Sequence, residues 1–104
     1  MIQIIRLRYH DDKDGSTSID VMVCASKDCA KEIILNEINK GFEESFQSLN
    51  DAATELNNDL TSCTWDAEDE TFSWYDNGKG ETYIIGNVNV NEVNTKFQNI
   101  GEIV

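Results

Sequence analysis

No proline occurs anywhere in this chain of 104 residues, and basic residues are scarce: eight Lys and Arg stand against twenty Asp and Glu. Without proline no backbone donor is missing, so every strand is free to pair along its whole length. The shortage of cations leaves a formal net charge of -12 and an isoelectric point near 4.2. Such a chain lacks the basic surface that direct binding to DNA, RNA or an anionic membrane requires, and suits a partner whose own surface is basic. Cysteine is sparse too. Cys24, Cys29 and Cys63 are odd in number and widely spaced, which fits reduced thiols in a core better than a disulfide framework. No apolar run approaches the roughly 20 residues of a membrane helix. The N-terminus alternates Ile and Arg instead of building a signal-peptide core, so a cytoplasmic protein is expected.

What is present suffices for one core. Hydrophobic residues make up 39% and charged residues 27% of the chain, too much apolar material for intrinsic disorder and about the right length for a single domain over 1–104. A monomer is the expected state.

Apolar periodicity places the elements. Residues 2–9 alternate, with Ile5, Leu7 and Tyr9 on one face and Ile4, Arg6 and Arg8 on the other. A polar run from Asp11 to Ser16, containing Asp-Gly, then turns the chain. Thr17 to Cys24 alternates again, Ile19, Val21 and Val23 matching the apolar face of the first strand. Ser26 is an N-cap with Asp28 in the first turn, and Ala30, Ile33, Ile34 and Ile38 follow at helical steps. Gly41 marks an end or a kink. Phe42, Phe46, Leu49, Ala53, Leu56 and Leu60 continue at three- and four-residue steps, which predicts helix to about Leu60. Residues 62–66 and 71–75 are short strands joined by an acidic turn. Asn77 to Gly80 is the next turn, and Glu81 to Val90 a strand with Gly86 as a bulge. Asn91 is a candidate cap for a short helix carrying Val93 and Phe97. The order predicts an α+β fold with a mainly antiparallel sheet, an N-terminal hairpin plus a C-terminal three-stranded meander, and one kinked or two consecutive helices packed on one face.

Motifs for chemistry are weak. Asp12, Asp14, Ser16 and Ser18 alternate around an Asp-Gly, but no bidentate Glu closes a calcium loop, and a hairpin turn is the favoured reading. His10 with the three cysteines lacks the close pairs of a zinc site, and no nucleophile motif accompanies that histidine. Gly78 and Gly80 flank a lysine between strands, not ahead of a helix as a phosphate loop requires. Asp66, Glu68, Asp69 and Glu70 are a possible magnesium cluster without the basic residues that would hold a substrate phosphate. Arg6 and Arg8 face Asp20 across the hairpin, where a cross-strand ion pair is expected. No catalytic residue, metal or cofactor is therefore assigned.

The charge distribution carries the functional expectation. Between Lys40 and Lys79 there are ten acidic residues and no Lys, Arg or His. In the predicted helix Asp51, Glu55 and Asp59 recur every fourth residue, rising about 6 Å per step along one side, where like charges repel by roughly 0.2–0.5 kcal/mol per pair. Surface helices usually interleave lysine. With Glu43 and Glu44 ahead of that row, and Asp66, Glu68, Asp69 and Glu70 on the acidic hairpin, these nine carboxylates are the candidate partner-binding set. The expectation is a non-enzymatic inhibitor that imitates the nucleic-acid backbone and occupies the basic site of a nuclease or RNA-guided effector, as phage anti-restriction and anti-CRISPR proteins do. A merely solubilising acidic surface is the bland reading. From another class comes a small assembly or scaffold domain that uses a sheet edge or the aromatics Trp65, Trp74 and Tyr75.

Overall fold

The computed structural model describes residues 2–10 and 16–86. Strand β1 (Ile2–His10) and strand β2 (Ser16–Cys24) form the N-terminal hairpin, helices α1 (Lys27–Phe42) and α2 (Leu49–Leu56) follow, and β3 (Thr61–Asp66), β4 (Thr71–Asp76) and β5 (Lys79–Gly86) form the meander. All pairings are antiparallel, in the order β2-β1-β5-β4-β3, so among the described residues β5 is the central strand, the first strand lies inside the sheet beside it, and β2 and β3 are the edges. The fold is α+β. The acidic run before Ser16, the expected continuation through Val88 and Val90 and the helix expected from Asn91 lie outside the described residues.

The helices cover the face that carries the arginines. Along β1, Ile4 and Arg6 lie on that side, and the register sets Asp20, Arg6, Tyr83, Phe72 and Trp65 in one row across all five strands. Ile4, Cys24, Cys63, Phe72, Tyr83 and Ile85 on the sheet pack against Ala30, Ile34 and Ile38 of α1 and Leu49, Ala52 and Ala53 of α2. Each fully buried side chain of this size contributes about 1.5–3 kcal/mol, so this layer holds most of the hydrophobic stabilisation. The opposite face, the more regular one by alternation, has Ile5, Leu7 and Ile84 buried at its centre.

One helix end departs from the periodicity. The chain runs helical through Gly41 and stops at Glu43, which takes the left-handed conformation (φ 55°) that usually falls to glycine. The N–H of Glu44 donates to the Asn39 carbonyl at 2.9 Å. Asn39 then grips the connection: its Oδ1 accepts from the Phe46 N–H at 2.8 Å and its Nδ2 donates to the Phe46 carbonyl at 3.1 Å. Phe46 is therefore held against the core from a non-helical segment, and its four-residue step from Phe42 only mimics a helical stripe. Ser48 caps α2 by accepting from the Asp51 N–H at 3.0 Å. This helix stops at Leu56, not Leu60, and Leu60 is exposed.

The meander turns as its residues require. Asn77 and Gly78 both have positive φ, the pair of conformations a two-residue hairpin needs. Gly86, the last described residue, pairs in register with Gln3, and the pairing up to it shows no bulge. Gly80 lies between Tyr9 and Tyr75 in the pairing, and a β-carbon there would meet the Trp74 carbonyl oxygen at 2.5 Å.

Candidate functional site

The nine candidate carboxylates separate into two groups. Three are engaged by the fold. Asp51, in the first turn of α2, accepts from the Gln47 N–H at 3.2 Å while its own N–H goes to Ser48, a reciprocal cap. Asp66 closes the β3–β4 turn by accepting from the N–H groups of Glu68 and Asp69 at 3.0 and 3.1 Å. Glu70, in the left-handed region, receives Lys27 Nζ at 2.7 Å, and its carbonyl accepts from the Ile85 N–H.

The remaining six, Glu43, Glu44, Glu55, Asp59, Glu68 and Asp69, are exposed. They do not form the expected helical row. Asp51 and Glu55 belong to α2, but Asp59 follows its end in the segment leading to β3, and Glu44 precedes its cap. The reason is the early stop: α2 is eight residues long, two turns, too short to hold three successive fourth positions. Nor do all nine share a face. The β3–β4 tip lies beside the start of α1 through the Lys27–Glu70 pair, whereas Glu43 and Glu44 follow the other end of that 16-residue helix, about 24 Å away. Five of the set flank β3 along the chain: Glu55 on α2 and Asp59 ahead of the strand at one end, Asp66, Glu68 and Asp69 at the other, with no carboxylate at 61–65 between them.

The cations are arranged differently. Arg6 NH2 reaches Asp20 Oδ2 at 2.6 Å, the expected cross-strand pair, and NH1 reaches Glu37 Oε2 of α1 at 3.6 Å. The hydrogen bond from Arg6 holds the Asp20 carboxyl below its ordinary range. Arg8 pairs not with Asp20 but with Glu81, Nε to Oε2 at 3.0 Å. Glu81 also accepts from Trp74 Nε1 at 3.2 Å and from the Tyr83 hydroxyl at 3.3 Å. Burial first, then the charge of Glu81, pushes the Tyr83 phenol well above its ordinary value. Lys31 lies over the Trp65 ring, 5.9 Å from its centroid. These pairings were only partly legible: register predicts Arg6 with Asp20, but Arg8 with Glu81 needs β5 beside β1, a contact 73 residues apart.

Other chemistry finds little support. Cys24 and Cys63 are buried, Cys29 is partly so, and all three are free thiols. Among the described residues no three His, Cys, Asp or Glu side chains come together as a metal site needs. No described helix is long and apolar enough to cross a membrane. A shallow groove of about 460 Å³ runs between α1 and the start of α2, over Leu35, Leu49 and Trp65 with Lys31 and Glu32 beside it. None of the nine carboxylates lines it. Trp65 and Trp74 are partly buried against the core, Trp74 meeting Phe42 edge-on at 5.0 Å, while Tyr75 is exposed and stacks 6.5 Å from Tyr9. Comparison with known protein families, curated proteins and solved structures finds no match to this chain.

Proposed function

We propose that this chain is an acidic, non-enzymatic binding protein that occupies the basic site of a nucleic-acid-processing protein, a nuclease or RNA-guided effector, by imitating phosphates, as inhibitors of host defence carried by mobile elements do. One observation carries the reading. Arg6, Arg8 and Lys27 are paired with the chain's own carboxylates and Lys31 is laid over Trp65, while Glu55, Asp59, Glu68 and Asp69 stand in solvent. Four of the six described cations are thus engaged by the chain itself, whereas these four carboxylates make no ion pair among the described residues, and a surplus of -12 has no internal counterpart. The edge that bears the exposed carboxylates spans a six-residue strand, about 20 Å, enough for several phosphate positions of a duplex strand. Asp51, Asp66 and Glu70 support this surface by shaping the cap and the turn. A basic groove would meet Glu55, Asp59, Glu68 and Asp69, with arginine forks exchanging phosphate for carboxylate.

The test is affinity capture on the immobilised protein, eluted with a salt gradient and separately with duplex DNA. The expected result is a nucleic-acid-binding protein released at moderate salt and displaced by the DNA, because such complexes are screened within about 8 Å at physiological ionic strength. Binding that ignores both salt and DNA would overturn the proposal. Of the aromatics that the assembly reading would use, Trp65 and Trp74 are partly buried against the core, which leaves Tyr75 as the exposed one.

A further inference from the structure

Strand β2 carries an apolar row that nothing described covers. Ile19, Val21 and Val23 are 47%, 50% and 56% exposed, on the face away from the helices, although Ile5 and Leu7 beside them on β1 are buried. Three β-branched side chains at alternate positions are suited to packing one face of a strand against a neighbour. Among the described residues the strand is also an edge with one side unpaired. It pairs with β1 in unbroken register over nine residues and has no proline, lysine or bulge to discourage a further strand. Its single charge, Asp20, lies on the helix face and is held by Arg6.

We propose that a second copy of this chain pairs antiparallel along β2, joining two five-stranded sheets into one of ten strands. The strand is self-complementary in one register. About a two-fold axis at Val21, that residue meets its own counterpart, and Ile19 meets Val23 in both directions, so the apolar row is continuous across the junction. On the helix face Asp20 then lies opposite Met22. An axis at Asp20 would set two like charges against each other, and an axis at Met22 would move Ile19 out of the row. The acidic β3 edge is four strands away, about 19 Å, beyond the Debye length at physiological salt, so its carboxylates do not oppose this approach. The pairing leaves both acidic edges free at the extremes of the joined sheet.

Sedimentation equilibrium tests this. Edge pairings bury little area and fall in the micromolar class, so the range is about 1 to 300 µM. The mass should rise from 11.8 kDa toward twice that value. Val21→Lys, which sets two ammonium groups against each other at the axis, should stay at 11.8 kDa throughout, with circular dichroism unchanged and a melting midpoint that no longer rises with protein concentration. Should that variant fail to fold, Ile19→Thr with Val23→Thr keeps strand propensity and should weaken the dimer by roughly tenfold or more. A wild-type mass fixed at 11.8 kDa would overturn the proposal, as would a dimer that the substitutions leave intact. In a wild-type monomer, hydrogen exchange names the alternative occupant: slow β2 amides mean another part of this chain, and fast ones an edge left for a different protein.

Discussion

At one edge of the sheet, β3 runs for six residues beneath α2, with carboxylates before it, after it and on the helix above. At the other, β2 runs for nine residues with no helix along its open side among the described residues, one neutralised charge and three exposed β-branched residues. Both strands face the same hazard, a row of backbone donors and acceptors open to a further strand. The β3 edge is short, covered and charged, each a known deterrent to pairing. The β2 edge has none of these. An acidic surface that served only solubility would be expected to guard the longer, more apolar edge, and here the charge is concentrated at the other one. The contrast underlies the two roles we propose, an acidic edge for a basic partner and a neutral edge for strand addition.

The largest effect should come from uncovering β3. Leu49 of α2 is buried against the core, so Leu49→Ala should lower stability by about 2–4 kcal/mol, whereas Val21→Ala at the half-exposed edge should lower it by under about 1 kcal/mol. Denaturant midpoints at low protein concentration, where any dimer is dissociated, measure both. Equal losses would erase the contrast.

A somewhat smaller effect is expected from pH. Burial pushes the Cys63 thiol in β3 up from 9.0 to about 11. The unfolded chain therefore releases this proton first: the contribution is fully present below pH 9.0 and is lost as pH rises through about 11. The loss should stay below roughly 2–3 kcal/mol, the value of the full displacement. Tyr83, also raised by burial, adds a loss of the same sign at higher pH. Stability measured against pH should fall across this window, and Cys63→Val should flatten its lower part. An unchanged slope in that variant would show that the thiol is not what titrates.

Next in size is the cap of α2. Ser48→Ala removes the acceptor for the Asp51 N–H and should lower stability by about 1 kcal/mol, and Asp51→Asn should lower it by about 0.5 kcal/mol by weakening the bond to Gln47. A rise in stability on Asp51→Asn would mean that repulsion with Glu55 outweighs the cap. This reverses what a row of repelling carboxylates predicts for Asp51.

The reversal shows where sequence reading succeeds and where it stops. Alternation and turn chemistry suffice for both hairpins, because strand period and Asn-Gly turns are local. The helix at Lys27 is likewise visible in Ser26 and its following apolar steps. Periodicity fails at Phe46, where the Asn39 side chain makes by tertiary hydrogen bonding a contact that a continued helix would have made by spacing. The acidic row fell with that helix. Alternation also marks Ile5, Leu7 and Tyr9 as the apolar face of β1, although the helices pack on the other. What decides is the partner strand, since β5 and β4 bring Tyr83, Ile85 and Phe72 to the side of Ile4. The six exposed carboxylates were legible as charge, but not their places, which depend on the helix break and on which strand became the edge.

The smallest effect on stability, and the most direct test of the contrast, should come from the exposed carboxylates themselves. Glu55→Gln, Asp59→Asn, Glu68→Gln and Asp69→Asn together remove four charges that make no ion pair among the described residues, so the melting midpoint should move by no more than the equivalent of about 0.5 kcal/mol, with a rise expected from relieved repulsion. If the β3 edge imitates phosphates, the same variant should lose affinity for the captured basic partner by at least about a hundredfold, the equivalent of near 3 kcal/mol, with much of the loss in the association rate. Val21→Lys should do the converse, abolishing self-association while leaving the basic partner's affinity within about twofold, since four strands separate the two edges. The two edges are independent only if both halves hold. A carboxylate variant that still binds its partner at wild-type affinity in physiological salt would leave the acidic edge as a guard against aggregation, and would remove the phosphate-imitation reading.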